Sequence, residues 1–569
     1  MRIALISTYP HPVALGLRYV SSYLKAAGHD VEMFFMSAKR DTAKADFSIA
    51  LLEDLCERLR SFELIGMSAM TNTFHRACVL TETIRNTQVK APIVWGGVHP
   101  TIAPVESLEV PDITCVGEGE EPMRRLADRL EAGRDPTDID SLSFRGGGPF
   151  GNKHVLRNDV QPLQHDLDAY PFPDYDLETH WVASAEGLKP ARLDNLRGAL
   201  HRLRVITTRG CPCTCSFCNN AVWLNTYKGK GQWVRHRSAD NVIAEIRQAQ
   251  MCFSTVEAVN IVDDLFFVRS EDAIEEFAVK YEQQVNLPLE LDAFPNTLSE
   301  TKLRSLSRVP IHLISMGIQS GSPDTLKNIY HRPTPLKKIV EGINLFADHK
   351  IRAEYHYIVN NPFETDRNRI ETMRFAATHH RGPAVLRIFP LQLYPGTPLY
   401  ARAREAGLVQ ERHDIAYRHT YTGKTHILGS GYLDVWLRVV LHLRNGGVPR
   451  VMVHRLIDGV THPWTRRIMD RKGFVPIAYG IYQAGRFITR KLIYQPLIRP
   501  LRYLLHRTPY GREHPEDELT LPRASTVVDR PSRRFFRRGS RSKSPPPTKR
   551  WPIGDITLGR NQPRVLAKE

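Results

Sequence analysis

The chain has 569 residues, of which 42% are hydrophobic, and its formal net charge is +17. This length allows about three domains with ordinary buried cores. No segment has the pattern of a secretory signal, which argues against a disulfide-stapled secreted protein. Residues 523–569 hold 13 Lys or Arg against 3 Asp or Glu. The basic charge therefore belongs mainly to one segment and does not by itself define a nucleic-acid-binding protein.

Strand-like and helix-like segments alternate through residues 1–140. Amphipathic stretches predict helices near residues 15–27 and 49–60. Apolar runs predict strands at residues 2–8, 31–36, 64–70, 93–96 and 113–116. Strands that alternate with helices at this spacing predict a doubly wound parallel sheet, and such sheets bind ligands at the carboxyl ends of their strands.

The carboxyl ends of these predicted strands carry glycines and polar residues. Each glycine pair alone would indicate only a tight turn, but a missing Cβ also lets a bulky ligand approach the backbone closely. The residues at these ends are Ser68, Thr71, Gly96, Gly97, Gly117, Glu118 and Gly119. Residues 141–198 are predicted to form the linker to the next domain.

Four cysteines fall within eight residues, in the run CPCTCSFC at residues 211–218, directly after a strand-like stretch. Cys211, Cys215 and Cys218 are separated by three and then two residues. Three thiolates on one loop can hold three irons of a four-iron cluster and leave the fourth iron open for chemistry. Structural zinc usually takes two cysteine pairs separated by a dozen or more residues, so the cluster is favoured. Cys213 fits neither interval and is interpreted as a non-ligand.

Three further segments follow the cysteine loop. They read VNIVDDLF at residues 259–266, MGIQSG at residues 316–321 and YPGTPL at residues 394–399. In order and spacing, the loop and these segments resemble the radical S-adenosylmethionine (SAM) superfamily. One segment departs from that pattern, because NNPFET at residues 360–365 replaces a glycine-containing turn. Asn tolerates left-handed backbone angles, so we expect the turn to form.

The resemblance implies a partial (β/α) barrel over residues 199–415. It also implies a [4Fe-4S] cluster held by Cys211, Cys215 and Cys218. SAM would bind to the cluster, with the backbone at Phe217 and the side chains of Asp263 and Gln319 lining its pocket.

The N-terminal part resembles the cobalamin-binding domain of the cobalamin-dependent radical SAM subfamily. The resemblance rests on GGVHPT at residues 96–101, on GEGE at residues 117–120 and on YPFPD in the following linker. It implies that residues 1–140 bind cobalamin through the strand-end residues named above. The loop YPHPVALG at residues 9–16 lacks the spacing of a cobalt-ligating loop. His11 is therefore interpreted as an ordinary loop residue.

Helical periodicity over residues 416–510 predicts a helical C-terminal domain that caps the barrel mouth. Charges and prolines in residues 474–505 argue against a membrane span, and packing on the barrel is favoured over an interfacial helix. Residues 511–569 predict a disordered basic tail, which would contact anionic surfaces without specificity.

The resemblance implies a cytoplasmic, cobalamin-dependent radical SAM methyltransferase that acts on an unactivated carbon of a small molecule. A reductant such as flavodoxin or ferredoxin would supply electrons. Three alternatives stay open: a cyclase, ring-contracting or rearranging enzyme without methyl transfer, a radical SAM enzyme that has lost cobalamin, and a non-catalytic iron–sulfur or RNA-binding protein.

Overall fold

The computed structural model describes residues 1–9, 13–36, 47–192, 201–332, 334–381, 384–409, 417, 431–445 and 447–469. His11, residues 474–505 and the basic tail lie outside the described residues, so the expectations about them stay predictions. In the part of the chain that is described, no helix is long and apolar enough to cross a membrane.

The N-terminal half is built on a nine-stranded sheet with the order β7-β6-β5-β4-β3-β1-β2-β8-β9. Strands β1 to β5 pair in parallel, as the alternating sequence pattern predicts. The strands are β1 (Arg2–Ser7), β2 (Asp30–Phe35), β3 (Leu64–Ser68), β4 (Ile93–Gly96), β5 (Ile113–Cys115), β6 (Leu142–Phe144), β7 (Leu156–Arg157), β8 (His180–Ser184) and β9 (Gly187–Pro190).

Helices cover both faces of this sheet and bury two separate apolar clusters. Alternate strand residues point to opposite faces, so one strand serves both clusters. Ile6 of β1 belongs to one cluster, and its neighbour Leu5 belongs to the other. The helices are α1 (Leu15–Ala26), α2 (Ile49–Leu59), α3 (Phe74–Arg85), α4 (Val98–Ile102), α5 (Pro104–Ser107) and α6 (Glu120–Glu131).

The predicted linker, residues 141–198, instead extends the N-terminal sheet at both edges. Strands β6 and β7 add to β5 in antiparallel pairing, whereas β8 joins β2 in parallel and β9 then pairs antiparallel with β8. Within each pair, β6 with β7 and β8 with β9, no helix separates the strands, so they fall outside the alternation of strands and helices that predicts β1 to β5. The N-terminal sheet therefore continues past the boundary predicted at residue 140.

The second half is an open (β/α) barrel, as predicted. Its six strands are all parallel, in the order β10-β13-β14-β15-β16-β17. They are β10 (Arg202–Val205), β13 (Ala258–Ile261), β14 (Leu289–Ala293), β15 (Ile311–Gln319), β16 (Ala353–Val359) and β17 (Val385–Pro390). A small antiparallel pair, β11 (Thr208–Arg209) and β12 (Arg235–His236), flanks the cysteine loop.

Helices surround the barrel between successive strands and bury their apolar faces against it. They are α7 (Asn219–Thr226), α8 (Ala239–Cys252), α9 (Glu271–Gln284), α10 (Glu300–Leu306), α11 (Leu336–Asp348), α12 (Asp366–His379) and α13 (Pro398–Glu405). The turn at residues 360–365 forms as expected: Asn360 takes a left-handed conformation with φ of 59°, and the Thr365 side chain caps α12 by accepting from the Asn368 backbone N–H.

The described part of the C-terminal region is helical, as predicted, with α14 (Tyr432–Asn445), α15 (Arg450–Thr461) and α16 (Pro463–Met469). Leu437, Leu441 and Ile457 join the barrel core. Arg444 donates to the carbonyls of Ala377 and His380, at the end of α12. These helices pack on the outside of the barrel, so the expected position over its mouth is wrong for them.

Candidate functional site

One large cavity, of about 860 Å³, is lined by residues from both halves of the chain. The carboxyl ends of the N-terminal strands contribute to its wall on one side, and the carboxyl ends of the barrel strands and the cysteine loop contribute on the other. The two predicted binding edges therefore meet in one space. Its volume is in the range of cofactor and small-molecule sites.

The cysteine loop is anchored at this cavity by backbone contacts. Gly210 has φ of +94°, and a Cβ there would lie 2.3 Å from the Trp233 carbonyl oxygen, so only glycine fits. The Trp233 indole N–H donates to the Cys211 carbonyl at 2.8 Å. The Cys218 backbone N–H donates to the Cys215 carbonyl at 3.0 Å. These bonds hold the three predicted ligand cysteines on one tight turn.

The four cysteines of the loop differ in burial and in their position relative to the cavity. Cys211 and Cys215 are buried, Cys218 lines the cavity, and the Cys213 thiol lies close enough to those of Cys211 and Cys215 to perturb its own pKa and that of Cys215. Burial raises the pKa of the Cys218 thiol to about 12. Iron would have to displace that proton, because metals bind the thiolate. A buried set of sulfur donors suits an iron–sulfur cluster, and the choice of Cys213 as the spare thiol still rests on spacing.

Phe217 and Gln319 both line the cavity, where the sequence analysis placed them. The Phe217 ring packs edge-on against Tyr330, with ring centroids 5.0 Å apart. Gln319 ends β15 with φ of +68°, where the pairing with β16 shifts register. A Cβ on Gly317 would lie 2.7 Å from the Gln319 amide nitrogen. The glycine therefore leaves room for this amide at the barrel mouth.

Asp263 is not among the residues that line the cavity, and its expected contact with SAM stays a prediction. Its carboxylate is buried and accepts from the backbone N–H groups of Thr207 and Thr208, the second at 2.8 Å. It also pairs with the Arg269 guanidinium at 3.3 Å. Asp264, the next residue, is exposed and lines the cavity, and it accepts from the Asn220 amide at 2.8 Å. The two neighbouring side chains point in opposite directions. Asp263 therefore stabilises the surrounding structure, whereas Asp264 presents its carboxylate to the cavity.

We expect Asp263→Asn to lower the stability of the protein and Asp264→Asn to lower its affinity for SAM. Asp263→Asn leaves Arg269 as a buried charge without its carboxylate, which should cost about 3–5 kcal/mol of stability. Asp264→Asn should weaken SAM binding and leave the melting temperature close to wild type. Thermal melting and equilibrium binding of SAM to the reconstituted protein measure both effects. Weak SAM binding by a fully stable Asp263→Asn protein would contradict this assignment.

Six of the seven predicted strand-end residues line the N-terminal side of the cavity: Ser68, Gly96, Gly97, Gly117, Glu118 and Gly119. Gly97 and Gly117 have φ of +98° and +90°, which favours glycine. Thr71 is different: it is buried, and its hydroxyl hydrogen-bonds with His99 Nδ1 at 3.2 Å. Thr71 is not among the residues that line the cavity, and its role as a direct cobalamin contact stays a prediction.

Glu118 lines the cavity, but its carboxylate forms ion pairs with arginines from the other half of the chain. It pairs with Arg235 at 2.5 Å and with Arg209 at 3.4 Å, while Glu120 pairs with Arg209 at 2.6 Å. Burial opposes ionisation of Glu118, yet Arg209 and Arg235 lower its pKa. Pairing of β11 with β12 sets the two arginines opposite each other, so these four residues form one ion cluster beside the cysteine loop.

Tyr227 completes this joint between the halves. Its hydroxyl accepts from the Glu118 backbone N–H at 2.7 Å. A Cβ on Gly117 would lie 2.0 Å from that hydroxyl oxygen, so the missing side chain is needed for the close approach. Arg235 and Tyr227 carry no sequence signal of their own, because they lie about a hundred residues or more from their partners along the chain.

This fold and site define a class of iron–sulfur enzymes. In this class, a cysteine loop on a (β/α) barrel faces a second domain that binds another cofactor. Residues 1–127 match the family model of the B12 binding domain, and residues 205–376 match that of the radical SAM superfamily. The chain therefore carries a B12 binding domain followed by a radical SAM domain. These two domains imply cobalamin for the first and a [4Fe-4S] cluster with SAM for the second. The alternative of a non-catalytic iron–sulfur or RNA-binding protein is therefore set aside.

Two curated relatives and one solved structure are similar over most of their length. The chain is 27% identical to an uncharacterized methyltransferase, PH0819, of Pyrococcus horikoshii, over 68% of this chain and 78% of the relative. It is 22% identical to an anaerobic magnesium-protoporphyrin IX monomethyl ester cyclase of Synechocystis, over 77% and 85%. The radical SAM methyltransferase TsrM of Kitasatospora setae, solved with tryptophan substrate, shares the fold with a TM-score of 0.56, 17% identity and coverage of 71% and 76%.

Proposed function

We propose that this enzyme is a cobalamin-dependent radical SAM methyltransferase that acts on an unactivated carbon of a small molecule. The observation that carries the proposal is the single cavity, which the cysteine loop and the glycine-bearing strand ends line together. A radical source and a methyl carrier must reach the same substrate atom, and one shared cavity permits this. The likeness to PH0819 and TsrM supports methyl transfer over other outcomes.

We assign the cofactor contacts as follows. Cys211, Cys215 and Cys218 would hold the cluster, and Ser68, Gly96, Gly97, Gly117 and Gly119 would receive cobalamin on the opposite side. The backbone at Phe217, the Gln319 amide and the Asp264 carboxylate would contact SAM. When bound, the cluster and SAM supply a carbon radical and cobalamin supplies the methyl group.

The chain's own residues hold these groups together and exclude water from them. Arg209, Arg235, Glu118 and Glu120 join the N-terminal sheet to the cysteine loop through buried ion pairs. Apolar side chains, among them Val262, Ile358 and Phe389, line the barrel end of the cavity. Such a wall protects reactive intermediates from side reactions. We further propose a cytoplasmic location and a reductant such as flavodoxin or ferredoxin, since the cluster needs reduced thiols and an electron.

A second candidate is a radical SAM cyclase or rearranging enzyme, in which no methyl group is transferred. The relative in Synechocystis carries the name of a cyclase and aligns over 85% of its length. The two candidates share every cofactor and differ only in the product.

Anaerobic reconstitution with iron, sulfide, cobalamin, SAM and a reductant tests the proposal. We expect bound cobalamin in the absorption spectrum, formation of 5′-deoxyadenosine and S-adenosylhomocysteine, and transfer of deuterium from methyl-labelled SAM to a compound in a small-molecule extract. A rearranged product without deuterium would favour the second candidate. Failure of the wild-type protein to take up cobalamin would falsify methyl transfer by this route.

A further inference from the structure

Arg204 is a cation in the cavity that has no counter-ion among the described residues. It lies on β10, where Leu203 and Val205 point outward into the apolar core. Alternation along the strand turns Arg202 and Arg204 to the barrel interior, and Arg204 lines the cavity. Within the described residues, Arg204 has no hydrogen bond or ion pair. A partly buried guanidinium in this position is costly unless a ligand pairs with it.

Carboxylates on the other barrel strands interact with residues other than Arg204; Asp292 on β14, for example, interacts with His356 and Ser315. Glu290 pairs with Arg202 at 3.4 Å and accepts from the Asn260 amide at 2.9 Å. Glu354 pairs with Arg387 and His356 at 2.9 and 2.8 Å. Asp263 and Asp264 have the partners described above. The residue in register with Arg204 on the next strand is Asn260, which carries no charge. Arg204 therefore faces the cavity without a carboxylate beside it on that strand.

The wall next to Arg204 is apolar. Ile206 follows it on the same side of the chain, and Val262, Ile358 and Phe389 line the same cavity from the next strands. A guanidinium binds carboxylate or phosphate through two parallel hydrogen bonds. The arrangement therefore suits a molecule with an anionic group at one end and an apolar body.

We propose that Arg204 binds an anionic group, a carboxylate or a phosphate, of the enzyme's substrate and so places the apolar body of that substrate toward the cysteine loop. This inference rests on the proposed function, because it assumes that the cavity receives a small molecule. It names the substrate class: an organic acid or phosphate ester with an apolar body. Arg204 would be a specificity residue that holds the substrate in one orientation.

Chemical labelling of Arg204 with phenylglyoxal, mapped by peptide mass spectrometry on the reconstituted protein, tests this. The probes are 3-phenylpropionate, phenyl phosphate and the neutral 3-phenylpropionamide. We expect at least one anion to slow labelling of Arg204 at roughly tenfold lower concentration than the amide, because hydrogen bonds to charged groups are about twice as strong. Arg202, which is paired with Glu290, is the internal reference and should label at an unchanged rate.

The outcomes separate the possible ligands. Protection by 3-phenylpropionate identifies a carboxylate, and protection by phenyl phosphate identifies a phosphate. Protection by neither anion, or equal protection by the amide, would overturn the proposal. If SAM alone protects Arg204 and the anions then add nothing, Arg204 binds the cofactor's carboxylate and the substrate subsite is refuted.

A variant provides a second measurement. Arg204→Met should lose binding of the protective anion in equilibrium dialysis, and Arg204→Lys should retain part of it, because the charge remains without the planar fork. Neither measurement requires turnover. A protein that passes them but forms no methylated product would refute the proposed methyl transfer and leave the anion site standing, whereas the reverse result would refute only the anion site.

Discussion

Replacing Cys211, Cys215 or Cys218 by Ala should abolish cluster assembly and SAM cleavage. Two thiolates hold a four-iron cluster poorly, since each ligated iron depends on its own cysteine. The loop itself should survive, because neither the bond from the Trp233 indole N–H to the Cys211 carbonyl nor the bond from the Cys218 N–H to the Cys215 carbonyl uses a cysteine thiol. Iron and sulfide content, cluster absorption and 5′-deoxyadenosine formation measure the loss.

Cys213→Ala is the matched control for these variants. Its thiol lies within hydrogen-bonding reach of Cys211 and Cys215, so proximity alone does not separate it from the ligands. Spacing predicts that the Cys213 variant keeps its cluster and its SAM cleavage. Iron loss in this variant equal to that of the other three would show that the ligand set is misassigned.

Gly96→Val should block cobalamin uptake and leave cluster assembly intact. Gly96 lines the cavity, and a Cβ there would meet only Cys115 Cβ, at 3.7 Å, which is ordinary contact. The larger side chain would occupy space that the cofactor needs, whereas the protein itself should tolerate it. Absorption of bound cobalamin after gel filtration measures uptake, and iron content reports the cluster.

Gly97→Val is a less clean probe of the same edge. Its φ of +98° would be strained by about 1–2 kcal/mol in any L-residue, and a Cβ would lie 3.1 Å from the Ala69 carbonyl. If the Gly97→Val protein failed to bind cobalamin, backbone strain and steric overlap with the cofactor would be equally good explanations. The matched control for Gly96→Val is Gly459→Val. Gly459 lies on α15, away from the cavity, and a Cβ there would meet nothing within 4 Å. Full cobalamin uptake by Gly96→Val would show that cobalamin binds elsewhere.

Much of the architecture could be predicted from contiguous residues. The alternation of strands and helices before residue 140 predicted the parallel strands β1 to β5, and Asn360 adopts the left-handed conformation that its residue type tolerates. Strands β6 to β9 form two antiparallel pairs with no helix inside either pair, so the alternation of strands and helices does not predict them. Arg444 and its contacts show that the described C-terminal helices pack on the outside of the barrel, which periodicity alone could not place.

The sequence by itself determined the chemistry of this protein: three thiols at cluster spacing on one loop, and glycines at the ends of parallel strands. Both depend on residues that are adjacent in the chain, so spacing is enough to define them. Only the tertiary structure decided that Asp264 rather than Asp263 faces the cavity, and that Glu118 is taken by Arg209 and Arg235. It also decided that Arg204 has no carboxylate among the described residues. These outcomes depend on which way a side chain turns at a strand end and on partners distant in sequence, and neither is set by local pattern.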